Sequence, residues 1–172
     1  MTGLSGAGKT TIALIVEEQL NARGLNIERL DGDVVRRSLT RDLGFTKEDR
    51  DKNIERVTFV AKLLSRNNVG VLACFISPYQ AVRDMVRSET TNFVEVFVYA
   101  PLEVCAERDV KGLYAKAFAG EIPNFTGVSD PYEEPVNPEL VINTHEETPE
   151  ESAASVIAYL EEHGFIPTAE TA

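Results

Sequence analysis

The run Gly3-Leu4-Ser5-Gly6-Ala7-Gly8-Lys9-Thr10 separates Gly3 from Gly8 by four residues and follows Gly8 with a lysine and a threonine. Glycines let successive backbone N–H groups converge on phosphate oxygens at the start of a helix, where the helix dipole favours negative charge. Lys9 then supplies a point charge for the β and γ phosphates of a nucleotide, and the Thr10 hydroxyl is placed to hold Mg²⁺. The chemistry served by this pattern is movement of a terminal phosphoryl group. The loop does not name the acceptor, because motors, switches and small-molecule kinases all share it.

The acceptor has to be read from other residues. Motors and switch proteins place an acid directly after an apolar strand, whereas the apolar run Val69 to Ile76 ends in Ser77-Pro78. The acids available at a strand end are those of Asp31-Gly32-Asp33. One aspartate can cap a helix in a turn, and the other can reach a substrate hydroxyl or a metal-bound water. Residue types alone leave open which does which. Around that turn lie Arg36, Arg37, Arg41, Arg50 and Asn53, with Arg83, Arg87 and Lys111 further along. So many bases point to an anionic acceptor, since guanidinium forks match phosphate and sulfate oxygens. Phe45 and Phe125 are candidate stacking faces for a purine.

These residues need elements to position them. Thr10 to Arg23 carries Ile12, Ile15, Val16 and Leu20 at helical spacing and stops at Gly24. Asn26 to Leu30 reads as a short strand. Thr46-Lys47-Glu48-Asp49 opens a second helix, whose apolar stripe is Ile54, Val57, Ala61 and Leu64. Val69 to Ile76 and Phe93 to Ala100 are apolar enough to be strands covered on both faces. Helices are expected over Gln80 to Ser88, Leu102 to Glu107 and residues 111–119. Leu140 to Asn143 is the last strand, and Thr148-Pro149-Glu150-Glu151 begins a helix that Gly164 ends. Between them Gly120 to Pro138 carries four prolines and two glycines, a loop long enough to act as a lid. Alternation of strand and helix predicts an α/β fold, a parallel sheet sandwiched by helices. A phosphate loop also needs a buried strand before it. Only Met1-Thr2-Gly3 is available, so either that strand is unusually short or the chain is cut from a longer polypeptide.

The chain has 172 residues, which suits one domain, with 28 acids against 17 bases. The bases all lie within residues 1–116, and residues 117–172 hold 12 acids and no lysine or arginine. Nucleic-acid binding needs a concentrated basic footprint, so this distribution speaks against it. No apolar run approaches a membrane span, and Cys74 and Cys105 stand at no metal or redox spacing. The expectation is a cytoplasmic protein with no nucleic-acid or membrane partner and two small buried thiols.

Taken together, the motifs resemble those of the adenylylsulfate kinase (APS kinase) family. The resemblance runs through Gly3 to Thr11, Leu30-Asp31-Gly32-Asp33 with Arg36, Asp42-Leu43-Gly44-Phe45, Glu48-Asp49-Arg50 with Asn53, and Phe75-Ile76-Ser77-Pro78-Tyr79. It continues through Lys111-Gly112-Leu113-Tyr114, Gly120-Glu121-Ile122 and Asn124-Phe125-Thr126-Gly127. It implies a P-loop nucleoside triphosphate hydrolase/kinase fold in a single domain over 1–172, with a mobile lid around 111–138. The implied reaction moves the γ-phosphoryl group of Mg-ATP to the 3′-hydroxyl of adenosine 5′-phosphosulfate (APS), giving PAPS and ADP in sulfate activation.

By position, Gly6, Ala7, Gly8, Lys9, Thr10 and Thr11 would bind ATP, with Thr10 on the Mg²⁺. Asp33, Arg36, Phe45, Arg50, Asn53, Ile76, Ser77, Lys111 and Phe125 would line the APS site. Lys9, Asp33 and Ser77 would carry the chemistry, with Asp33 orienting or deprotonating the hydroxyl. Ser77 would position the acceptor rather than form a phosphoserine, because direct in-line transfer needs no covalent serine. Phe125 would close over the purine opposite Phe45 when nucleotide binds. A homodimer, and fusion to or association with ATP sulfurylase, are the partnerships the resemblance implies. Ala115, Phe118 and Gln80 depart from the basic residues frequent at those family positions, thinning positive charge beside the lid.

Overall fold

The computed structural model describes residues 1–109 and 111–168. Four parallel strands form two pairs: β1 (Ile27–Asp31) lies beside β2 (Gly70–Cys74), and β3 (Val96–Tyr99) beside β4 (Leu140–Asn143). Met1-Thr2-Gly3 threads between the pairs. Its Met1 carbonyl accepts from Phe75 N–H at 3.3 Å, the Thr2 N–H donates to the Val96 carbonyl at 2.9 Å, and the Thr2 carbonyl accepts from Val98 N–H at 2.9 Å. Met1-Thr2-Gly3 thus runs where a strand before the phosphate loop belongs, between the two pairs, and pairs there through an isolated bridge from Thr2 to Phe97.

Helices cover both faces. The first, α1 (Lys9–Ala22), packs against the last, α7 (Pro149–Glu162), while α3 (Lys47–Ser65) packs on β2 and on α4 (Gln80–Glu89). The strand period of two shows directly in β2: Leu72 packs into the cluster of Ile12, Val16, Val98 and Ile157, whereas Ala73 packs into that of Val35, Ile54, Val57 and Val82. The sandwich expected from sequence is what forms. Three short helices complete the set: α2 (Gly32–Arg37), α5 (Leu102–Arg108) and α6 (Leu113–Phe118).

The helix starts follow their sequence signals. The Thr46 hydroxyl accepts from Asp49 N–H at 3.2 Å to open α3. At α7, Thr148 and Glu151 cap each other's backbone N–H groups, with Pro149 in the first turn. Cys74 and Cys105 are buried free thiols, as expected. Among the described residues, no helix is long and apolar enough to cross a membrane.

Residues 120–138 form no helix or named strand, and their only pairing outside the named strands is an isolated bridge between Thr126 and Asp130. They are more firmly fastened than their composition suggests. Tyr79 donates its hydroxyl to Asp130 at 2.8 Å, Glu133 N–H donates to the Pro78 carbonyl at 2.8 Å, and the Tyr132 hydroxyl lies 2.8 Å from that of Thr2. The Tyr132 ring also stacks on Phe97 with centroids 6.0 Å apart. These ties hold the 130–133 stretch to the strand ends.

Candidate active site

The phosphate loop is shaped by glycine where no other residue fits. Gly3 has φ +148°, and a Cβ there would lie 2.2 Å from the Val98 carbonyl oxygen. Gly8, at φ +106°, turns the chain into α1. Lys9 Nζ donates to the Gly3 and Leu4 carbonyls at 2.9 and 2.8 Å, which folds the lysine across its own loop. Burial pushes its ammonium down to about 8. Ala7 departs from the expected phosphate contact. Its methyl group is fully buried in the core, its N–H donates to the Leu4 carbonyl at 3.2 Å, and it does not line the cavity beside the loop.

The Asp31-Gly32-Asp33 turn divides its two carboxylates between two tasks. Asp31 ends β1 and caps α2, accepting from Asp33 N–H at 2.9 Å through one oxygen. Its other oxygen accepts the Thr10 hydroxyl at 2.7 Å. Burial pulls its pKa upward, yet the Thr10 hydroxyl and the Asp33 amide hold it below the ordinary aspartate value. Asp33, one residue into α2 and half exposed, meets the ammonium of Lys111 instead.

From the loop, one cavity of about 840 Å³ runs past both aspartates to Phe45 and Phe125. Gly6, Gly8, Lys9, Thr10 and Thr11 line one end. Arg36, Phe45, Arg50, Asn53, Ile76, Ser77 and Phe125 line the other, and Asp33 and Lys111 also line it. Arg36 lies over the Phe45 ring at 4.3 Å and donates to the Gly44 carbonyl at 2.9 Å. Arg50 is buried and clamps two segments, donating to the Phe45 carbonyl at 3.0 Å and the Asn124 carbonyl at 2.7 Å. Asn53 is held by the Thr40 hydroxyl at 2.7 Å. Phe45 is 55% exposed and offers its ring to the cavity. Phe125 is only 9% exposed and packs edge-on against Tyr114 at 5.0 Å, so it is part of the core as well as of the cavity wall.

Two arginines foreseen near the acceptor turn away. Arg83 and Arg87 pair with Glu95, and Arg87 also grips Glu139 at 2.5 and 2.8 Å. Buried Glu95, just before β3, and partly buried Glu139, just before β4, capture them, and neither arginine lines the cavity. Ser77 has φ +44°, a left-handed backbone that non-glycine residues rarely adopt.

Three wall residues were not singled out from sequence in these roles. Asp31 is the partner of Thr10, and its signal was its place at a strand end. Arg108 donates to the Gly6 carbonyl at 3.2 Å and the Thr144 carbonyl at 2.6 Å, and Thr144 donates its hydroxyl to the Ala7 carbonyl at 2.7 Å. Topology alone brings these two to the loop, and no local motif announces them. Among the described residues, no cluster of three or more His, Cys, Asp or Glu could hold a metal ion. The Thr10 hydroxyl and Asp31 carboxylate, hard oxygens at the phosphate end, do suit one Mg²⁺ shared with substrate phosphates.

A family model described as adenylylsulphate kinase matches residues 1–143. A probable adenylyl-sulfate kinase of Pseudomonas aeruginosa is 75% identical over 156 residues, covering 91% of this chain and 73% of that one. An adenylyl-sulfate kinase of Halothermothrix orenii is 64% identical over 165 residues, covering 96% and 89%. The structure superposes on the Mycobacterium tuberculosis APS kinase CysC, solved in complex with AMPPNP and APS, with TM-score 0.90 and 44% identity over 93% of this chain and 94% of that one.

Proposed function

The chain belongs to the adenylylsulfate kinase family, and from that premise we propose how its cavity moves the γ-phosphoryl group of ATP to the 3′-hydroxyl of APS, yielding PAPS and ADP. The single observation that carries the reading is the continuity of the cavity. A loop built for a triphosphate and a wall of Phe45, Phe125, Arg36 and Arg50 face one space, with Asp33 and Lys111 also on it.

The phosphate loop holds ATP through its backbone N–H groups. Lys9 leaves the Gly3 and Leu4 carbonyls to meet the β and γ phosphates, where it offsets charge that develops during transfer. Thr10 and Asp31 would hold Mg²⁺, which when bound neutralises phosphate oxygens. At the other end, the acceptor purine lies between Phe45 and Phe125, and Arg36 and Arg50 face its anionic groups. Asp33 accepts the proton of the 3′-hydroxyl as the oxygen attacks phosphorus and the bond to the β-phosphate oxygen breaks. Ser77 aligns the acceptor. A homodimer is the assembly, and the cytoplasm the compartment, that we carry over from the family resemblance.

A coupled ADP-release assay with APS, gluconate, shikimate or no acceptor tests this reading. ADP release that depends on APS alone is expected. Equal rates with any other acceptor would refute the assignment.

A further inference from the structure

Arg83 lies outside the cavity, yet its guanidinium holds the backbone of a residue that lines it. It is 4% exposed. One terminal nitrogen donates to the Ser77 carbonyl at 2.7 Å. The other donates to the Glu133 carbonyl at 2.6 Å and to Gln80 Oε1 at 2.7 Å. Its Nε stands 2.9 Å from Glu95, a carboxylate only 5% exposed, whose second oxygen faces Arg87 at 3.3 Å. A planar fork held at both terminal nitrogens, with Nε facing a buried carboxylate, has one orientation, and a lysine could not satisfy three separated acceptors at once.

What this fork grips is the strained residue. Ser77 sits at φ +44° directly before Pro78, and a proline restricts the backbone of its predecessor further. Such a conformation persists only where surroundings over-determine it. Here the surroundings are Arg83 on the Ser77 carbonyl and the Thr2 hydroxyl on the preceding Ile76 carbonyl at 2.7 Å. Through Glu133, the same guanidinium also ties the 120–138 segment to this strand end.

We propose that Arg83, oriented by buried Glu95, is a positioning residue for phosphoryl transfer: it pins the Ser77 carbonyl, holds Ser77 in its left-handed conformation and so sets the acceptor wall opposite the phosphate loop. The inference rests on the reading of Ser77 as an acceptor-aligning group. It differs from a purely structural role in being transmitted through one backbone conformation, and glycine adopts that conformation without strain.

The test measures kcat and the KM values for ATP and APS in Arg83→Lys, made alone and combined with Ser77→Ala or Ser77→Gly, with melting temperatures alongside. Arg83→Lys should lower kcat by about 10- to 100-fold, the scale of a small misplacement at a reacting centre, with KM for ATP unchanged. The same loss should persist on top of Ser77→Ala, which keeps the strained backbone, and shrink to about threefold or less on top of Ser77→Gly. Equal losses in the two serine backgrounds, or a loss confined to KM for ATP, would overturn the inference.

Should Arg83→Lys fail to fold, Glu95→Gln keeps the shape and removes the orienting charge. It should reproduce the pattern at about 3- to 10-fold, and wild-type kcat in that variant would overturn the inference as well. Failure of the functional reading shows separately, as no APS-dependent ADP release from the wild-type protein.

Discussion

The Thr10 hydroxyl donates to Asp31 across 2.7 Å, joining the first turn of α1 to the end of β1. The oxygen pair that would hold Mg²⁺ is thus set by two elements rather than by a flexible loop. Asp31→Asn should lower kcat by about 100- to 1000-fold, the scale of removing one preorganised electrostatic contact. Asparagine still caps α2, so the melting temperature should barely move, whereas Asp31→Ala should also cost about 0.5–2 kcal/mol of stability through the lost cap. Steady-state rates across a magnesium titration, with thermal melts, check both. Wild-type kcat in Asp31→Asn at saturating metal would remove Asp31 from the site.

Lys9 gives a pH dependence with a definite sign. Burial holds its pKa at about 8, and phosphates beside it favour the charged form, so above that pH nucleotide binding takes up a proton. ADP affinity should therefore fall as pH rises above about 8, by at most about tenfold per unit. Lys9→Arg stays protonated throughout and should show a flat profile. Calorimetric titrations from about pH 7.5 to 9.5 measure the slope. The same slope in the arginine variant would assign it to another group.

Asp33 and Lys111 are half exposed, so their ion pair contributes little to stability, about 1 kcal/mol or less. Asp33→Asn should accordingly leave the melting temperature and ATP affinity near wild type while lowering kcat with APS by about 100- to 10,000-fold. Stopped-flow nucleotide binding beside steady-state turnover separates the two effects. If Asp31→Asn cripples hydroxyl activation and Asp33→Asn is mild, the two aspartates have exchanged the proposed roles.

Because Phe125 packs on Tyr114, truncating it to alanine mixes ligand binding with a core cavity costing about 3–5 kcal/mol. Phe125→Leu keeps most of the volume and removes the aromatic face. KM for APS should rise by about 5- to 150-fold, matching the 1–3 kcal/mol of a base stacked on a ring, with KM for ATP unchanged. An unchanged KM for APS would show that the purine is held elsewhere.

The elements were legible because their signals are local. Thr46 and Thr148 announced their helices, Val98 and its neighbours announced a doubly covered strand, and Gly3 to Thr10 announced the phosphate loop. The candidate site residues that line the cavity stand beside those signals. What eluded the sequence was competition between partners. Nothing local says that Glu95 captures Arg83 and Arg87, which lie 12 and 8 positions before it and read as well for an anionic substrate. Nor does composition tell whether proline-rich residues 120–138 hang free. Tyr132 finding Thr2 across 130 positions decides that, and only the folded chain brings them together.

The Thr2 bridge also ties the phosphate loop to the middle of the sheet. Thr2 N–H and Val98 N–H complete the sheet on one side, and the chain enters the phosphate loop one residue later. No opening that separates the two halves of the sheet can leave the loop assembled, so nucleotide affinity is a gauge of global rather than local integrity. In native-state hydrogen exchange, the Thr2 and Val98 amides should exchange only through whole-molecule unfolding, and saturating ADP should slow both by the same factor. Exchange through a smaller opening that ADP leaves untouched would show that the loop outlives that bridge.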